Sequence, residues 1–157
     1  MTNNTYAGAL KMTLIQRTFF FWVLLLAGLL LSAAALLYHR LTVRLCRGQA
    51  QGLAGGLWLC TALGLGHSLV ILWLMLDAQL TPRSLAHDAV LAVMLGYLLF
   101  HGVLATLLTL LQALRVRLGY VGVRLPYEPM VLRPLWSYTL GVFWIALAGF
   151  ILMPMAW

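Results

Sequence analysis

Four histidines, three acids and two cysteines are the side chains of this 157-residue sequence that could do chemistry. His67 and His101 lie deep inside long apolar runs, whereas His39 and His87 sit at the ends of such runs. Two imidazoles at similar depth on adjacent helices can ligate a b-type haem. The same pair also suits a plainer role, a neutral ring hydrogen-bonded to a neighbouring helix. Catalysis or ion transport inside a membrane usually rests on an ionisable group at depth. The acids, Asp77, Asp88 and Glu128, stand instead at the ends of apolar runs or in the loop before the last one. There is no Ser-His-Asp set, phosphate-cradling glycine loop or CxxC pair. Cys46 borders a basic loop and Cys60 lies within an apolar run. They read as small packing residues or idle thiols rather than as a structural disulfide.

A second concentration of functional residue types is an arginine-rich elbow, RVRLGYVGVRLPYEPMVLRP, followed at once by LWSY. It places Arg115, Arg117, Arg124 and Arg133 beside Trp136 and Tyr138. Guanidinium groups at the end of an apolar run meet lipid phosphates or the loops of a partner, and Glu128 can pair with one of them at the rim. The net charge of +7 would point to nucleic acid in a soluble chain. Here the basic residues flank apolar runs, no nucleic-acid motif is present, and the expected partner is phospholipid.

These residues must be positioned by membrane helices. The sequence is 64% hydrophobic and only 8% charged, more apolar surface than a soluble domain of this length can bury. Four apolar stretches cover about residues 18–38, 53–76, 89–114 and 135–156, each long enough for roughly 30 Å of hydrocarbon. Backbone groups cannot go unpaired in lipid, so the stretches are expected to be helices. The expected fold is all-α, an integral membrane four-helix bundle forming a single membrane domain over 1–157. The run Thr18–Tyr38 is longer than the core of a signal peptide and is read as mature structure. The links are short, and the third, the arginine-rich elbow, holds Gly119, Gly122, Pro126, Pro129 and Pro134. The first and third loops carry seven of the ten Lys and Arg residues. That bias puts these loops in the cytoplasm and both termini on the outer, periplasmic side. Trp22, Trp73, Trp136 and Trp157 fall near span ends, where interfacial aromatics are expected.

Two patterns bear on packing. Gly56, Cys60, Gly64 and Ser68 recur every fourth residue, a small-residue face that admits a close helix, in this chain or another. Shorter pairs of the same spacing, Gly28 with Ser32 and Ala92 with Gly96, carry less weight. Thr106, Thr109 and Gln112 follow His101 at near-helical spacing. The threonines can bond back to their own helix carbonyls, or the stripe can line a hydrated groove or face lipid.

From about Leu57 to Trp157 the chain resembles subunit III of haem-copper terminal oxidases, in particular the form fused behind subunit I in some bacteria. The residues that carry the resemblance are WLMLDAQLTPRSLAHDAV between two spans, YLLFHGV, a long helix with a basic exit, LWSYTLGVFW, and Pro154 near the outer end. His101 and Gly102 match the family's His-Gly in its penultimate helix, and Trp136 and Tyr138 match the aromatic pair that opens its last helix. The chain departs from the pattern at Val103 and Leu104, where a second histidine often stands, and at Ser137, where the family often has histidine. It also lacks the carboxylate of the early helices and has fewer spans, so it would be a shortened form.

The resemblance implies a non-catalytic accessory subunit of the bacterial inner membrane, with no cofactor of its own. Haem and copper would reside in partner subunits, and the partners would be subunits I and II of the oxidase together with phospholipid. Its role would be assembly, lipid binding and sustained proton-pumping electron transfer to oxygen. Contacts to lipid or partner would fall to Arg115, Arg117, Arg124, Trp136, Tyr138 and His101. Two alternatives stand beside it. One is a haem-b anchor of another respiratory complex, with His67 and His101 as ligands; the other is an unrelated small membrane assembly protein.

Overall fold

The structure is a computed structural model that describes residues 3–47, 52–77, 86–119 and 127–152. The apolar runs form four helices: α1 (Asn3–Cys46), α2 (Leu53–Asp77), α3 (Ala86–Arg117) and α4 (Tyr127–Leu152). Each contains a segment long and apolar enough to cross a membrane: Thr18–Cys46, Leu53–Asp77, Ala92–Arg117 and Met130–Gly149. The chain is therefore an all-helical, multi-pass membrane protein.

Helix ends differ from the sequence expectation in two places. The first helix does not stop near Tyr38. It runs for 44 residues, from Asn3 to Cys46, about 66 Å of helix, so it extends well beyond a hydrocarbon core of about 30 Å. Nothing in YHRLTVRLC breaks a helix, and Thr42 is accommodated by donating its hydroxyl to Tyr38 O at 2.9 Å. The last helix begins at Tyr127 and passes through Pro134, which the sequence had placed in the elbow. Pro129 falls in the first turn, where its missing N–H has no helical partner to lose. Pro134 leaves the Met130 carbonyl without its usual donor, a defect that membrane helices tolerate.

The helices pack in a ring, α1 against α2, α2 against α3, α3 against α4, and α4 back against α1. Neighbours run antiparallel. Phe19, early in α1, meets Trp73, late in α2, edge-on at 5.8 Å between ring centres. A Cβ on Gly56, early in α2, would touch Leu41, late in α1. The α3 helix ends at Gly119, whose φ of 77° is the left-handed conformation that glycine adopts freely. Its N–H returns to Val116 O at 3.2 Å and closes the last turn.

The small-residue ladder of α2 is used inside this chain. Cys60 Sγ lies 3.3 Å from Ala34 O of α1. A Cβ on Gly64 would collide with Thr106 of α3 and approach Trp136 of α4. Gly28 of α1 likewise admits the Phe143 ring of α4, which a Cβ there would meet at 2.5 Å. The outward faces stay apolar; Leu69 and Ile145, for example, are exposed. Such faces suit lipid or other membrane helices. Arg40 and Arg44 lie in the last turns of α1 with Arg47 just past its end, Arg115 and Arg117 close α3, and Arg133 lies near the start of α4. Alternation of direction brings all of these to one end of the bundle.

Candidate functional site

Polar groups at mid-helix depth occur in three layers. The layer nearest the basic end joins three helices. Tyr38 of α1 donates to Gln112 Oε1 of α3 at 2.7 Å, and Trp136 Nε1 of α4 donates to Thr109 Oγ1 of α3 at 3.1 Å. Tyr38 and Trp136 also face one another, with ring centres 6.3 Å apart. Trp136 was expected at the interface as a lipid or partner contact; it is instead 1% exposed and fully inside the bundle. The indole finds its partner on α3, which offsets the cost of burying its N–H. Of the other three tryptophans expected near span ends, Trp22 and Trp73 are exposed, and Trp157 lies outside the described residues.

The middle layer is built of threonines. Thr106 donates to Gly102 O at 2.7 Å, Thr109 to Ala105 O at 2.8 Å and Thr139 to Leu135 O at 2.8 Å. Thr106, Thr109 and Gln112 are all buried, so the stripe faces the core rather than lipid. It does not continue the face of His101. It lies on the face of Gly102, the next residue round the helix.

The third layer holds the histidines, and it separates them. His67 is 0% exposed. Its Nδ1 lies 2.9 Å from Ala27 O of α1. A carbonyl only accepts, so Nδ1 carries the proton and Nε2 is a bare acceptor. That Nε2 has no hydrogen-bond partner among the described residues. The ring lies against Phe143 of α4 edge-on, and a Cβ on Gly102 would stand 3.0 Å from its Cδ2 and 3.3 Å from Nε2. The α3 backbone therefore closes directly over the free nitrogen, where a bound porphyrin iron would need room.

His101 points elsewhere. It is half-buried on the outer side of the α3–α4 seam, where Nδ1 donates to Tyr97 O at 2.9 Å. Its ring stacks on Tyr97 with centres 4.0 Å apart, meets Phe100 at 5.4 Å, and lies 5.7 Å from Tyr138 of α4. The hydroxyls of Tyr97 and Tyr138 are hydrogen-bonded to one another across the seam. His67 and His101 thus share a depth and not a pocket, and no group of three or more metal-ligating side chains exists among the described residues.

Arg115 and Arg117 are exposed in the last turn of α3, and Arg124 lies outside the described residues. Asp77 is exposed at the end of α2, and the side chains of Asp88 and Glu128 lie outside the described set. His67 is the one fully buried histidine among the described residues. Sequence reading missed Tyr97 altogether. Its signal was available as the residue one turn before His101. Comparison with known protein families, curated proteins and solved structures finds no match to this chain.

Proposed function

We propose that this chain is a non-catalytic accessory subunit of a haem-copper terminal oxidase, a shortened form of subunit III, in the inner membrane of a bacterium. It packs beside subunits I and II, which hold the haem and copper, and it holds phospholipid at its basic end. Its loops one and three face the cytoplasm and both termini face the periplasm. The observation that carries this reading is the meeting of His101 and Tyr138 at the α3–α4 seam. These two residues come from the separate segments, YLLFHGV and LWSY, on which the likeness to subunit III rests.

Two further features support it. Tyr38, Gln112, Trp136 and His67 Nδ1 are tied by neutral hydrogen bonds between helices, which suits a scaffold better than a relay. Six arginines gather at one end of the bundle, the arrangement that the positive-inside bias and anionic lipid favour. The test is purification through a tag on this chain in mild detergent, with a visible spectrum and mass spectrometry of what accompanies it. A haem-containing complex that includes a large haem-copper subunit is the expected result. Recovery of the chain free of any oxidase, or with haem bound to this polypeptide alone, would overturn it.

A further inference from the structure

Tyr97, Phe100, His101 and Tyr138 form a polar and aromatic patch that faces outward from the α3–α4 seam, with Phe100 63% and Tyr138 51% exposed. Its depth is unusual. His101 lies nine residues past the start of the 26-residue segment Ala92–Arg117, and Tyr138 eight past the start of the 20-residue segment Met130–Gly149. At about 1.5 Å per residue His101 stands roughly 13–14 Å past the start of its segment, and Tyr138 about 12 Å past the start of its own and about 7–8 Å past Arg133. Tyrosine is favoured at the interfaces, where its hydroxyl meets water and head groups. Acyl chains at this depth offer no hydrogen-bonding group.

The patch has unused hydrogen-bonding capacity of both kinds. His101 Nδ1 donates to Tyr97 O, so a neutral ring presents Nε2 on its far edge as an open acceptor. The two tyrosine hydroxyls share one bond, so one of their two O–H protons remains to be donated. Neither group has a further partner among the described residues. One turn along α4, Gly141 is exposed and has open space where a Cβ would stand, so another backbone can approach there.

We propose that this patch docks a transmembrane helix of a partner subunit that carries a hydroxyl or carboxamide side chain near mid-bilayer. This rests on the reading of the chain as an accessory subunit and names the surface by which it is held. Ser, Thr, Asn and Gln both donate and accept, which matches one open acceptor beside one open donor. An apolar helix or a lipid tail satisfies neither. A second copy could also pair this donor with this acceptor about a two-fold axis along the membrane normal, and the mass of the crosslinked product separates it from a partner helix.

The test replaces Phe100 by the photo-crosslinker p-benzoylphenylalanine in the full chain, irradiated in intact native membranes. The same replacement at Leu69, 62% exposed on α2, is the control. The expected result is a product at Phe100, absent at Leu69, that maps to a transmembrane segment of another polypeptide. A Ser, Thr, Asn or Gln lies within one turn of the adduct. His101→Asn keeps an inner donor in place of Nδ1 and removes Nε2; Tyr97→Phe with Tyr138→Phe removes the hydroxyls. Each is expected to lower the product about threefold or more at equal chain abundance, the factor for one interhelical hydrogen bond. Product unchanged in both variants, an adduct in a wholly apolar segment, a product of twice the chain's mass, or no product would each overturn the proposal. The two readings fail separately. A captured helix from a protein unrelated to oxidases leaves the docking patch standing and removes the oxidase. Co-purification with an oxidase but no product at Phe100 does the reverse.

Discussion

Tyr38 donates its hydroxyl to Gln112 at 2.7 Å, joining two helices that otherwise lie across the diagonal of the bundle. The α1 and α3 helices are not neighbours in the ring, so this bond spans the core rather than a seam. Tyr38→Phe removes the donor and leaves the Gln112 carbonyl buried. A loss of about 0.6–2 kcal/mol is expected, read as a lower midpoint in a denaturant titration in detergent. Adding Gln112→Leu to that variant removes the orphaned acceptor and is expected to recover part of the loss. A double-mutant cycle with no coupling between the two positions would show that the bond does not form.

The bond also marks what could and could not be read in the sequence. Span number follows from length and apolarity, and the four helices lie where those properties place them. Rotation about each helix axis does not follow, because these helices are apolar on nearly every side and carry no periodic signal. Trp136 therefore reads as an interfacial residue and proves to be a core residue bonded to Thr109. His67 and His101 read as a pair by depth, yet His67 turns into the core and bonds to α1, whereas His101 lies on the outer side of the α3–α4 seam. Pro134 reads as part of the elbow because a proline most often marks a helix boundary, yet α4 runs through it, with Pro134 exposed near the basic end. The α2 ladder is legible as a close-packing face, but its partners, α1 and α3 with Trp136, emerge only from the fold.

Gly64 tests that ladder directly. A Cβ there would collide with Thr106 Oγ1, already bonded to Gly102 O, and would stand 2.9 Å from the Trp136 ring. Gly64→Ala is expected to cost about 1–3 kcal/mol by overpacking. Gly141→Ala, with nothing within 4 Å of the new carbon, is expected to leave the fold's stability unchanged or raise it slightly. Equal unfolding midpoints for the two variants would contradict the packing described for α2.

His67 offers a test of which nitrogen matters. Asparagine can place a donor near Nδ1, which serves Ala27 O, whereas glutamine places its amide nearer Nε2, which serves nothing described. His67→Gln is therefore expected to destabilise more than His67→Asn, by about 1 kcal/mol, the net worth of one buried hydrogen bond. The reverse order would mean that Nε2 carries the structural contact. In both variants the visible spectrum of the purified protein is expected to match that of the unaltered chain.

The basic end is the last point of test. Arg115 and Arg117 are exposed in the final turn of α3, and Arg124 follows in the elbow. Each cation near an anionic lipid surface contributes about 1 kcal/mol, and the attraction weakens as salt rises. Replacing the three by Gln removes three positive charges while keeping hydrogen-bonding side chains of moderate length. Fewer phospholipids are then expected to remain per chain after mild-detergent purification, and, on the proposed accessory-subunit reading, co-purifying polypeptides are expected to be lost at lower salt. Lipid content and retention equal to those of the unaltered protein, across a salt series, would remove the elbow from the binding role. Because Arg115 and Arg117 are exposed in the last turn of α3, the unfolding free energy is expected to change by no more than about 0.5 kcal/mol. Loss of lipid without loss of fold is thus the combination that assigns these arginines to the surface they face rather than to the core behind them.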